Sequence, residues 1–120
     1  MPNPVVHFEF PTKDPAKSLK FYADLFGWKI QAIPQIDYGL IDTGVKGGIG
    51  GGISKASGQQ TDRVTFYVEV DDLNAYLKKA ERMGAKTVVP VTVVPNMVTF
   101  AVFSDADGNL IGLVKAEPPR

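Results

Sequence analysis

His7 is the only histidine in the 120 residues, and cysteine is absent altogether. Thiolate nucleophiles, thiolate metal sites and disulfides are thereby excluded. A serine–histidine–aspartate triad would have to use His7, and a metal site built on two or three histidines cannot form within one chain. His7 stands in the run Val5-Val6-His7-Phe8-Glu9-Phe10. Read as a strand, this run sends Val6, Phe8 and Phe10 to one face and Val5, His7 and Glu9 to the other. An imidazole beside a carboxylate on one strand face can ligate an ion, act as a general base, or hydrogen-bond a ligand, a neighbour or water. A similar run extends from Arg63 to Val70, with Val64, Phe66, Val68 and Val70 opposite Thr65, Tyr67 and Glu69. Tyr67 and Trp28 could stack on a ligand, although aromatic residues on strands usually serve packing.

Two glycine-containing segments suggest chemistry that their spacing does not support. Gly47-Gly48-Ile49-Gly50-Gly51-Gly52 is followed by neither a Lys-Ser/Thr pair nor a helix, so the amide cradle of a phosphate loop is missing. A strand stripped of side chains, approached closely by a sheet or ligand, accounts for it better. Asp105-Ala106-Asp107-Gly108-Asn109 resembles the start of a calcium loop. It lacks the glycine at the sixth position and the glutamate at the twelfth, where Ala116 stands, and reads as a hairpin turn. Lys78, Lys79 and Arg82 read as a solvated helix face.

The elements around these residues form a repeat. Asp14-Pro15 is a helix start, with an N-cap carboxylate followed by the residue best tolerated in the first turn. Leu19, Tyr22, Ala23 and Phe26 form the apolar stripe, away from Lys17, Lys20 and Asp24, and Gly27 supplies the stop. In the second half Asp71-Asp72 starts a helix whose stripe is Leu73, Tyr76, Leu77, Ala80 and Met83, and Gly84 ends it. Laid over each other, the helices match Leu19 with Tyr76, Ala23 with Ala80, Phe26 with Met83 and Gly27 with Gly84. Pro11 to Asp14 is expected to break the first strand. Three strands are expected after each helix: Trp28 to Ala32, Tyr38 to Thr43 and Gly48 to Lys55, then Lys86 to Val94, Met97 to Ser104 and Asn109 to Lys115. Pro34, Gly44 and Pro95-Asn96 mark turns, and Ala56 to Asp62 reads as an exposed linker.

The expected fold class is therefore α+β: two tandem β-α-β-β-β modules, about 4–55 and 63–116, in a single domain spanning 1–120. They would form a concave, incompletely closed mixed sheet with the helices outside. At roughly 55 residues neither module should be stable alone. The helices should cover Val6, Phe8, Phe10, Val64, Phe66 and Val68, leaving His7, Glu9, Thr65, Tyr67 and Glu69 to line a trough between the modules. Such a polar set is costly to bury without partners or water.

V-V-H-F-E-F, D-P-A-K-S-L-K-F-Y-A-D-L-F-G-W-K-I, F-Y-V-E-V-D-D-L-N-A-Y-L-K-K-A-E-R-M-G-A-K and F-S-D-A-D-G-N-L-I-G-L-V together resemble the vicinal oxygen chelate superfamily. That superfamily includes glyoxalase I, the bleomycin and fosfomycin resistance proteins and extradiol dioxygenases. The G-G-I-G-G-G-I run is similar to a subgroup of small glyoxalase-like proteins. The resemblance implies four metal-ligand places, on the first and last strand of each module. His7 matches the first, whereas Thr65 stands at its counterpart. Gly112 takes the position of the usual glutamate, and the matching place in the first module falls within Gly50-Gly51-Gly52.

Hydrophobic residues make up 44% and charged residues 22%, the balance of an ordinary globular protein. Thirteen basic and thirteen acidic side chains cancel, which argues against nucleic-acid or membrane-surface partners. The N-terminus lacks the pattern of a signal peptide, so a cytoplasmic location is expected. The favoured function is binding of a small organic molecule in a cleft formed by His7, Glu9, Thr65, Tyr67, Glu69 and Gly112, without a metal or other cofactor. No catalytic residue is assigned, and a homodimer is expected. A second reading keeps a divalent ion through His7 with Glu9 or Glu69 and catalyses lyase or dioxygenase chemistry by Lewis-acid activation. A third is a non-catalytic module whose trough completes a dimer.

Overall fold

The computed structural model describes residues 2–59 and 62–115. Gln60 and Thr61 of the linker, and Ala116 at the end of the second module, lie outside the described residues. The elements run β1 (Val5–Thr12), α1 (Pro15–Phe26), β2 (Lys29–Ile33), β3 (Tyr38–Asp42), β4 (Gly50–Lys55), β5 (Thr65–Val70), α2 (Leu73–Arg82), β6 (Lys86–Val94), β7 (Val98–Ser104) and β8 (Leu110–Lys115). A single 3-10 turn, Pro34–Ile36, joins β2 to β3. The order β-α-β-β-β thus occurs twice, and the class is α+β. No helix among the described residues is long and apolar enough to cross a membrane.

Both helices begin as their sequences dictate. The Asp14 carboxylate accepts from the Lys17 N–H at 3.2 Å, and that of Asp72 accepts from the Ala75 N–H at 3.0 Å. Each bond satisfies one of the amides a helix start leaves unpaired. Gly27 caps α1 in the left-handed region at φ 73°. α2 is capped by Met83, and the left-handed glycine, Gly84, follows one residue later.

Contacts divide the chain into a first unit, residues 6–65, and a second comprising residues 2–5 and 66–115. In the first unit the strand order is β2-β3-β4-β1, with β1 parallel to β4 and the other pairs antiparallel. α1 lies on the face carrying Phe8 and Phe10: the Phe10 ring is 4.7 Å from that of Tyr22, and Phe8 is 5.7 Å from Trp28. Thr12, buried at the end of β1, ties strand to helix. Its hydroxyl accepts from the Asp14 N–H at 3.1 Å and hydrogen-bonds the Ser18 hydroxyl. In the second unit the order is β5-β8-β7-β6, again with one parallel pair, β5 and β8. Its core joins Val70, Leu73, Leu77, Ala101 and Leu113.

Residues 2–5 group with the second unit because their polar atoms are spent there. The Glu69 N–H donates to the Pro4 carbonyl at 2.9 Å, and Asn3 Nδ2 donates to the Glu69 carbonyl at 3.2 Å. The Tyr76 hydroxyl then donates to Asn3 Oδ1 at 3.2 Å.

Several expectations are corrected. Pro11 does not end β1: it pairs with Ser54, and the Thr12 carbonyl accepts from the Ala56 N–H at 2.8 Å. Proline's fixed φ is compatible with extended backbone, and only its missing donor is lost. Val64 is not covered by a helix but 78% exposed, because it precedes β5 and has no sheet face to occupy. Phe66 is also exposed: α2 reaches only the far end of β5, at Val68 and Val70. Phe26, on the apolar stripe of α1, is 55% exposed, and α1 buries no residue fully. β2 starts at Lys29 and β4 at Gly50, so Trp28 and Gly48 stand outside the strands.

Candidate functional site

The face of the first unit away from α1 is defined by register, since side chains of paired strand residues share a face. His7 pairs with Gly50, Glu9 with Gly52, Gly52 with Leu40, and Ser54 with Tyr38. Tyr38 starts on β3, and its ring runs back across β4 over the bare backbone of Gly52. A methyl group on Gly52 would overlap the Tyr38 hydroxyl and ring. The phenol thereby reaches β1, where it donates to Glu9 Oε1 at 2.8 Å and lies 2.8 Å from His7 Nε2. The imidazole and phenol planes are nearly parallel, at 13°. With the single phenol hydrogen committed to Glu9, the network assigns a hydrogen to His7 Nε2, donating to the phenol oxygen. An imidazole, a phenol and a carboxylate from two strands are joined in one polar chain.

His7 is half-buried, and removal from water pushes its pKa below the ordinary 6.5. The unfolded chain therefore takes up a proton near pH 6.5 that the folded chain refuses, so stability falls as pH drops below that value. Asp62 and Asp105 are held below their ordinary 3.8 by hydrogen bonds, chiefly from the Ser57 amide and the Asn109 side chain. Their contribution is present above that value and is lost only at lower pH, in a separate window. The expected result is a melting temperature that declines from pH 7.5 to 5.5, with a visibly flatter decline in His7→Gln. An equal slope in both proteins, read by calorimetry, would place the titration elsewhere.

The second unit repeats the ring-over-glycine arrangement with different chemistry. Tyr67 pairs with Gly112 as Glu9 pairs with Gly52, and the Tyr67 ring itself covers the Gly112 Cα. Tyr67 is only 7% exposed and makes an edge-to-face contact with Phe100 at 6.4 Å. Thr65 and Glu69 lie on the same face of β5 by alternation, both half-buried. Within the units, then, His7 and Glu9 are brought together by Tyr38, and Tyr67 is brought onto Gly112.

Trp28 belongs to packing, with Phe26 at 4.8 Å and Tyr22 at 6.1 Å. Of the three consecutive glycines, Gly51 lies beneath Phe8 on the α1 face and Gly52 beneath Tyr38 on the other. A Cβ at Gly50, opposite His7, would meet only the Ile41 carbonyl oxygen, at 3.1 Å. The Asp105 carboxylate is occupied by its own turn, accepting from the Asp107 and Asn109 amides at 2.9 Å each and from Asn109 Nδ2 at 3.0 Å.

Tyr38 is the residue that sequence reasoning passed over. The signal was present in Gly50-Gly51-Gly52: a strand without side chains needs bulk from its neighbours, and the nearest aromatic on a following or preceding strand supplies it.

These units define an α+β protein built from two β-α-β-β-β repeats. Residues 5–113 match the model of the Glyoxalase/Bleomycin resistance protein/Dioxygenase superfamily, and the chain belongs to that family. A glyoxylase-like domain-containing protein of Didymella fabae is 32% identical over 108 residues, covering 84% of each chain. A hypothetical protein from Bacillus halodurans has a similar fold, with a TM-score of 0.73 at 12% identity over 100% of this chain and 99% of that one. A superfamily member from Vibrio splendidus gives 0.69 at 16% identity, over 96% and 100%. Methylmalonyl-CoA epimerase from Mycobacterium tuberculosis gives 0.68 at 16% identity, over 95% and 88%.

The residues present do not fit the divalent ion that the resemblance implies. His7 has its Nε2 hydrogen-bonded to Tyr38. The two last-strand positions are Gly52 and Gly112, and instead of carboxylates they carry the rings of Tyr38 and Tyr67 above them. Among the described residues no group of three or more His, Cys, Asp or Glu side chains could hold an ion.

Proposed function

We propose that this chain binds a small organic molecule, without a metal ion, on the face of β1, β4 and β3 that bears His7, Tyr38 and Glu9. The observation that carries this reading is the hydrogen-bonded chain His7–Tyr38–Glu9 laid over Gly52. It presents a neutral imidazole, a phenol and a carboxylate side by side, partly removed from water, where polar contacts gain strength. Gly50, opposite His7, carries no side chain, and a Cβ there would press on the Ile41 carbonyl oxygen at 3.1 Å. Similarity to a family whose members work on small molecules supports the same reading. Sequestration and turnover both begin with this binding step.

The test is a melting-temperature screen of chelator-treated protein against small metabolites, followed by titration of the hits. A ligand at a hundred times its dissociation constant should stabilise the fold by about 2.7 kcal/mol. Tyr38→Phe keeps the ring over Gly52 and removes the hydroxyl, and should weaken binding roughly tenfold, the value of one hydrogen bond in a partly dry site. A stoichiometric, tightly held divalent ion in protein purified without chelator would overturn the metal-free reading.

A further inference from the structure

A second cavity lies in the first unit beneath the first turn of α1; Tyr38 forms part of its lining, but neither His7 nor Glu9 does. Its volume is about 390 Å³, within the range that small-molecule sites occupy. Ala16 and Leu19 of α1, Ala32 and Ile33 of β2 and Ile53 of β4 supply apolar walls, and Gly39 forms part of the floor. A Cβ at Gly39 would press on Ile30 Cγ2 at 3.2 Å, closer than ordinary contact.

Only one lining residue carries a formal charge, Asp37. It follows the 3-10 turn in the left-handed region at φ 50°, a conformation that Asp and Asn tolerate better than other side chains. At the start of α1 the Asp14 side chain caps the Lys17 amide and adds a second carboxylate at that helix end. Lys20 is likewise occupied, in an ion pair with Asp24 at 2.8 Å. The cavity thus combines apolar walls with one carboxylate.

We infer that this cavity is a binding site for a small organic amine, its apolar body against Leu19, Ile33 and Ile53 and its protonated nitrogen towards Asp37. A neutral molecule of the same shape gains only the apolar contact. An anion gains that contact against the repulsion of Asp37. This inference goes beyond the site of His7 and Glu9, with which the cavity shares only Tyr38.

The experiment is an amide NMR titration of the full chain with phenethylamine, 2-phenylethanol and phenylacetate. The expected result is saturable shifts at Leu19, Ala32, Gly39 and Ile53, with affinity falling from amine to alcohol to carboxylate. An exposed charge pair is worth about a fivefold preference for the amine over the alcohol. Asp37→Asn keeps the backbone conformation and should abolish that preference while leaving the alcohol unaffected. Ala32→Leu narrows the cavity and should weaken all three compounds. The inference is overturned if millimolar amine produces no saturable shift at these residues. It is equally overturned if the alcohol or the acid binds as well as the amine, or if Asp37→Asn leaves the preference intact.

Discussion

Gly112→Glu, which restores the carboxylate that the family resemblance places on the last strand, is expected to destabilise the fold by roughly 3 kcal/mol or more and to create no ion site. The new side chain would start where the Tyr67 ring now lies. Tyr67 is buried and held from the side by Phe100, so it has no exit that keeps its burial. Overpacking of this kind costs ~1–3 kcal/mol even for small additions, and a carboxylate pressed against an aromatic ring adds desolvation. Urea unfolding with Gly112→Ala alongside separates the two parts, since alanine carries the steric cost alone. Tyr67→Ala should itself cost about 3–5 kcal/mol as an aromatic truncation in a core. Because one overlap is responsible, adding Gly112→Ala to Tyr67→Ala should cost almost nothing further. A Gly112→Ala protein within 0.5 kcal/mol of the parent, or Gly112→Glu binding zinc or manganese stoichiometrically in calorimetry, would defeat this account.

Gly52→Ala meets the same kind of overlap with the opposite consequence. Tyr38 is only half-buried and begins on β3, so its ring can swing off the sheet towards water. The expected loss of stability is correspondingly smaller, about 1–2 kcal/mol. The loss at the site is larger, because the phenol's hydrogen bonds to His7 and Glu9 leave with the ring. Ligand affinity should fall at least as far as in Tyr38→Phe, and the His7 ring resonances should shift to those of an imidazole without a phenol neighbour. Combining Gly52→Ala with Tyr38→Ala should show a coupling of about 1–2 kcal/mol, the overlap cost that removing the ring relieves. Additive effects in that cycle, or unchanged His7 resonances in Gly52→Ala, would mean that Tyr38 does not depend on the bare backbone beneath it.

These contrasts show how far the residues alone could be read. Helix starts were legible because capping is local: Asp14 and Asp72 act on amides three positions away. The strand faces were legible where alternation met a helix, as at Phe8, Phe10, Val68 and Val70. Alternation failed at Val64 and Phe66, because it assigns a face without saying whether anything covers it. Pro11 misled because it stands next to the last residue of β1, where its fixed φ suits extended backbone and one donor is all that is lost. The site was half legible. His7 and Glu9 followed from spacing on one strand, whereas Tyr38 joins them only through strand pairing. Pairing partners lie about 30 residues apart in sequence, and no local rule specifies them.

The lacing of Asn3 and Pro4 onto Glu69 and Tyr76 bears on how the protein is made. Asn3 leaves the ribosome well before its partners, which are 66 and 73 positions behind it. Until translation delivers Glu69 and Tyr76, these hydrogen bonds of Asn3 and Pro4 cannot form. Closing so long a loop is an entropic cost met before its contacts repay it, so this stitch belongs among the late, slow steps of folding. Fragments cut at the linker would leave that seam open, with Asn3 and Pro4 on one piece and Glu69 and Tyr76 on the other.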